Sequence, residues 1–181
     1  MNDAHGEVGR APYDLAGMLD AHLAAEFQLH SVDATMATMS DEPYLLHVPT
    51  SIGGVGRAEV ERFYRDYFVT CWPEDLEVVP VSRTVGEDRV VDELIVSFTH
   101  SCEIPVLLPG IAPTGRRVRL PHVVVVAFEQ GRVASEHIYW DQASLLVQVG
   151  LLDPGMLPVR GDEQAVALLE RRSDNRLVPT W

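Results

Sequence analysis

Cysteine is nearly absent: Cys71 and Cys102 are the only two in 181 residues. Two thiols cannot make the disulfide framework of a small secreted domain, so they read as small buried hydrophobes in a reducing, cytoplasmic setting. Basic charge is scarce as well, with 14 Lys and Arg against 27 Asp and Glu and a formal charge of −13. Nucleic acid and anionic membranes both require a positive footprint, so this balance argues against either as a partner. No apolar run approaches the ~18 residues of a membrane span. The opening MNDAHGEVGRAP lacks the charged start and apolar stretch of a signal peptide, and residues 1–12 read as a mobile arm.

Motifs are missing too. No G-x-S-x-G marks a serine nucleophile, and "GGVG" lacks the spacing of a dinucleotide fingerprint. The seven histidines include no H-x-x-x-H pair, and no C-x-x-C occurs. His137 and Asp141 on one straight strand would lie ~13 Å apart, too far to share an ion. A metal site could only be assembled from different strands, for example by His47, His100 and His122; none is assigned.

Ordinary globular content remains, 46% hydrophobic and 23% charged, in a chain the size of one domain. Helical spacing of apolar residues predicts a helix over 13–30, a short second helix over 34–39 and a third over 57–69. "YLLHVP" reads as a short strand and "TSIGGVG" as a glycine loop. Beyond Pro73 the period becomes extended, with strands over 76–84, 89–100, 118–128 and 132–140, the last two joined by an "EQG" hairpin turn. A closing helix is expected over 141–149, and a tail with one amphipathic helix over 162–172. Helices first and antiparallel strands after predict an α+β fold, a curved antiparallel sheet wrapped around N-terminal helices. One domain over 13–152 and a tail over 153–181 follow.

Alternation then sorts polar groups by face. On the last strand His137, Tyr139 and Asp141 share one face, and Glu136, Ile138 and Trp140 the other. Three polar groups on one face of an apolar strand are costly without a task, so the first set reads as the chemical face. His122 and, on the middle strand, Asp92 and His100 are further candidates for a cavity lining, as are His47, Tyr64 and His22. For each a bland reading stands beside the functional one. A lone strand histidine is more often a hydrogen-bonded structural residue, Asp92 an edge charge, and Tyr64 core with a satisfied hydroxyl.

Trp140-Asp141 followed by Leu145-Leu146, Gln148 and Gly150 resembles the closing signature of SnoaL-like polyketide cyclases. The "PTGR" loop at Pro113 to Arg116 and the "EQGRV" hairpin at Glu129 to Val133 agree. These cyclases belong to the nuclear-transport-factor-like superfamily of cone-shaped α+β barrels, and the resemblance spans residues 13–152. It implies a cofactor-independent cyclase, isomerase or dehydratase acting on a polyketide-like or terpenoid small molecule, with Asp141 as general acid/base. His137 or His122 would assist the proton transfer, with Tyr139, Tyr64, His47, Asp92, His100 and His22 around the substrate. It also implies a homodimer. Epoxide or ether hydrolysis by carboxylate-activated water, and a non-catalytic ligand-binding or dimerisation module, are the alternatives.

Overall fold

Asp14 opens the first helix by accepting a hydrogen bond from the Gly17 amide at 3.0 Å, and α1 spans Leu15–Phe27. The computed structural model describes residues 13–173 and 175–178, so the expected N-terminal arm lies outside the described residues. Ser31 caps α2, Val32–Thr38, through the Ala34 amide. The chain then passes straight into β1, Met39–His47, earlier than the sequence spacing suggests. Pro43 is accommodated because the pairing register shifts between Met39 and Tyr44, where a missing amide donor breaks no ladder.

The glycine loop is in part a strand, β2, Ile52–Val55. A Cβ on Gly53 would sit 1.9 Å from the Leu45 carbonyl oxygen, so only glycine lets β2 close on β1. Gly56, at φ +75°, turns the chain into α3, Arg57–Phe63. The expected third helix continues to Phe68, but its second half, Tyr64–Phe68, is a π-turn. Such turns advance side chains out of the α-helical row and often accompany functional sites.

Strands β3 (Glu77–Val85), β4 (Arg89–Thr99), β5 (Arg117–Glu129) and β6 (Arg132–Trp140) follow. All six strands form one sheet in the order β2-β1-β6-β5-β4-β3. β1 runs parallel to β6, so the sheet is mixed and mostly antiparallel rather than purely antiparallel. Its concave face packs on α1 and α3 through Leu15, Leu19, Val60 and Phe63, all buried. Between β4 and β5 the proline-rich loop inserts Ile104, Val106, Leu107 and Leu108 into the core. Helix α4, Gln142–Gln148, closes the end, and a 3-10 turn, Pro154–Met156, leads to α5, Glu163–Leu169. The tail is tied to the sheet by Arg119 to Asp162 at 2.9 Å and to α4 by Ser144 Oγ to the Gly161 carbonyl at 2.8 Å. Among the described residues no helix is long and apolar enough to cross a membrane.

One irregularity decides which side chains face inward. The β5–β6 register passes from Phe128 opposite Val133 to Ala127 opposite Ser135, leaving Ala134 as an extra residue. A bulge of one residue flips the parity of everything beyond it. Val133 and Glu136, three apart, are consequently both buried. His122 pairs with Trp140, Val124 with Ile138 and Val126 with Glu136, so these residues share the concave face. The alternation marks His137, Tyr139 and Asp141 as the chemical face, and the structure corrects this: past the bulge, His137 and Tyr139 point to the outer face.

Candidate active site

Between α1 and the sheet lies a cavity of about 410 Å³, within the usual range for small-molecule pockets. Leu23, Phe27, Leu94, Leu107, Val124 and Ile138 give it apolar walls, and exposed Asp20, Gln28 and Val78 lie at its rim. Four polar side chains break the apolar lining: Glu26 from α1, His47 from β1, His122 from β5 and Glu136 from β6.

Behind the two glutamates the charge is organised around His22. Its Nδ1 lies 2.6 Å from Thr38 Oγ1, and the Thr38 hydroxyl donates to the Thr35 carbonyl at 2.6 Å. With its single proton so used, Thr38 must accept from Nδ1–H, which turns Nε2 toward the glutamates. Nε2 sits 3.2 Å from Glu26 Oε1 and 3.3 Å from Glu136 Oε2. The Tyr64 hydroxyl, from the end of α3, donates to Glu136 Oε2 at 2.6 Å and lies 3.3 Å from His22 Nε2. All four side chains are buried.

Such a cluster cannot hold two free carboxylates beside one imidazole. Burial works against the charged form of His22, but Glu136 and Glu26 outweigh it and push its pKa well above the usual histidine range. Burial likewise opposes ionisation of Glu136, yet the imidazolium and the Tyr64 hydroxyl hold its carboxyl below the usual range. Glu26 goes the other way, raised chiefly by burial. The arrangement thus favours a His22 imidazolium beside a Glu136 carboxylate and makes Glu26 the more easily protonated of the two carboxyls. Two carboxyls whose environments drive their pKa values apart give one base and one acid side by side. Burial also pushes Tyr64 well up, so it remains a neutral donor.

The remaining cavity histidines are neutral. Desolvation lowers His47 and His122 each to about 4. His122 donates from Nδ1 to the Leu120 carbonyl at 3.0 Å and stacks on Trp140 at 5.5 Å. His47 packs among Phe63, Phe68 and Trp140, and its Nδ1 has no partner.

The nine sequence candidates thus separate. His22, His47, Tyr64 and His122 converge on the cavity or the cluster behind it. Asp141, His137, Tyr139, Asp92 and His100 are not among its lining residues. Asp141 is exposed and caps α4: Oδ1 accepts from the Ala143 and Ser144 amides at 2.9 and 3.1 Å, and Oδ2 from Gln164 of α5 at 2.7 Å. Asp92 receives a two-pronged bond from Arg83, 2.7 Å on each arm, which also reaches Asp20. His100 binds Thr114 in the loop, and His137 packs edge-on against Tyr44 at 5.3 Å. Tyr139 is exposed. Asp141→Ala should consequently cost about 1 kcal/mol of stability through the lost cap, seen as a shifted urea midpoint, with cavity chemistry unchanged.

Sequence reasoning missed Glu26 and Glu136. His22 and Glu26 stand four apart on α1, a one-face pair that a search for histidine pairs alone passes over. Alternation groups Glu136 with Ile138 and Trp140, as the structure has it, but takes the opposite face of β6 as the chemical one.

The model of the SnoaL-like domain matches residues 19–136. The chain belongs to that family. The matched span of this SnoaL-like domain contains His22, Glu26, Tyr64 and Glu136 and stops before Asp141. Solved structures agree on the fold. A candidate SnoaL-like polyketide cyclase from Jannaschia sp. CCS1 is 19% identical with a TM-score of 0.60, over 82% of this chain and all (100%) of that one. AclR, a candidate hydroxylase from Streptomyces galilaeus, is 21% identical with a TM-score of 0.59, over 77% and 98% of the two chains. The epoxide hydrolase/cyclase-like enzyme SalBIII, of pyran ring formation in the polyether salinomycin, is 17% identical with a TM-score of 0.51, over 70% and 90%. No curated protein matches the sequence.

Proposed function

We propose that this SnoaL-like domain is a cofactor-independent enzyme of the cyclase, isomerase or dehydratase type, moving a proton on a small oxygenated hydrophobe. The observation that carries the reading is the buried Glu136–His22–Glu26 group at the wall of an apolar cavity, with the pKa values of its two carboxyls pushed in opposite directions. Glu136 takes a proton from carbon. Protonated Glu26 supplies one to the developing enolate or leaving oxygen, and His22 and Tyr64 hold Glu136 in place and stabilise its charge. Aldol closure, double-bond shift and dehydration share this first step. The cavity's size and open rim favour catalysis over a vestigial binding module.

Exchange in D2O tests the step without knowledge of the natural substrate. The domain should accelerate loss of the α-hydrogens of β-tetralone, a bicyclic ketone, by NMR. A rate no faster than buffer across a panel of such ketones would remove the proposal's support. Epoxide opening is the second reading, favoured by the acid and base standing together and by the named activity of SalBIII. Incorporation of oxygen-18 from labelled water separates it from cyclisation.

The proposal includes a homodimer. On the outer sheet face exposed Val123 and Tyr139 pair with each other across β5 and β6. Light scattering should give twice the chain mass, falling to one for Tyr139→Glu; a monomeric unaltered chain would contradict this.

A further inference from the structure

The His22 group has a second property, the spacing of its ligand-capable atoms. His22 Nε2, Glu26 Oε1 and Glu136 Oε2 lie within 4.8 Å of one another, the one such trio that the described residues bring together. Atoms bound at about 2.0–2.1 Å to one ion stand about 2.9 Å apart at octahedral angles and about 3.4 Å at tetrahedral ones. The His22 contacts of 3.2 and 3.3 Å fall in that interval.

The supporting shell fits as well. A ligating histidine ordinarily gives its other ring N–H to a fixed acceptor. Thr38 Oγ1 is that acceptor, itself anchored to the Thr35 carbonyl. The Tyr64 hydroxyl orients Glu136 by the same logic. Both glutamates border the cavity, which provides an entry path and leaves one side of the trio open.

We propose that His22, Glu26 and Glu136 form a one-histidine, two-carboxylate site for a divalent transition-metal cation of the Zn2+ or Mn2+ class, open toward the cavity. Two carboxylates and a neutral imidazole make the loaded site electrically neutral, which the buried setting requires. The cation occupies the oxygens that the acid–base step uses, so loading should silence that step. This consequence rests on the function proposed above; the binding itself does not.

The test uses the whole chain, stripped with chelator and titrated at pH 7.5 with Zn2+ and with Mn2+ by calorimetry, with bound metal counted after gel filtration. One equivalent is expected for one of the two ions. Glu26→Gln copies the protonated acid and so preserves the fold; it should weaken binding about 100-fold, as should Glu136→Gln. Asp141→Asn should bind as the unaltered chain does. Binding that both glutamine variants retain at full strength places the ion elsewhere and overturns the site, as does no stoichiometric binding of either ion. Failure to bind leaves the acid–base reading intact. Stoichiometric binding with undiminished β-tetralone exchange keeps the site and removes that reading.

Discussion

Glu136→Gln should slow β-tetralone exchange by about 10³-fold, in the range expected for loss of a general base, while Asp141→Asn stays within about threefold of the unaltered rate. Glutamine keeps the acceptor for the Tyr64 hydroxyl but cannot take a proton. Removing one partner of a buried ion pair ordinarily costs 3–5 kcal/mol, because the other charge is stranded. Here Glu26 lies 3.2 Å from the same His22 nitrogen and can ionise in its place. The variant should therefore remain folded by circular dichroism, with the carboxylate moved from the β6 wall to α1. A full rate in Glu136→Gln, or its collapse in Asp141→Asn, would return the chemistry to the end of β6.

The burial of His47 and His122 should cost the chain stability on acidification well before its ordinary carboxylates titrate. His47 and His122 are held at about 4 in the folded chain against 6.5 unfolded. A group whose folded pKa is depressed stabilises fully above its unfolded pKa, and that stability is lost as pH falls toward the folded value. Between pH 6.5 and 4.5 the unfolded chain takes up two protons that the folded chain refuses, worth roughly 2.5 kcal/mol each. His22 does not disturb this window: its pKa is raised, so its contribution is complete below 6.5 and fades only on the alkaline side. Glu136 is depressed from 4.5 and acts below the window. Glu26, raised from 4.5, contributes stability on acidification within it and offsets part of the loss, so the histidine contribution is read by difference. Urea unfolding at pH 7 and 4.5 should show His122→Asn losing roughly 2.5 kcal/mol less than the unaltered chain on acidification. Equal losses in both would mean that His122 is hydrated and titrates normally.

The architecture was legible because periodicity and capping are local. The helical spacing of apolar residues marks α1, α2 and α3, and the Glu129-Gln130-Gly131 turn sets the β5–β6 hairpin. Inward residues on β4 and β5 followed directly from alternation, and His122 was found that way. What could not be read are features fixed by tertiary pairing. The extra residue at Ala134 has no proline or glycine to announce it, yet it exchanges the faces of β6 and turns Glu136 inward. Gly53 signals a loop by composition, whereas close approach to Leu45 is what requires it. Asp141 carries the closing signature, but the tail that reaches its second oxygen with Gln164 lies 23 residues further along the chain. The π-turn over Tyr64–Phe68 likewise looks like ordinary helix in sequence.

The central claim is that a charged His22 between two unlike carboxyls forms the reacting wall of the cavity. Nitrogen-15 NMR of the imidazoles, followed from pH 5 to 9 on the metal-free chain, addresses it most directly. His22 should keep the shifts of an imidazolium past pH 7.5, where an ordinary histidine is neutral, and should lose that behaviour in a Glu26→Gln, Glu136→Gln double variant. A His22 that titrates near 6.5 in the unaltered chain would contradict the account.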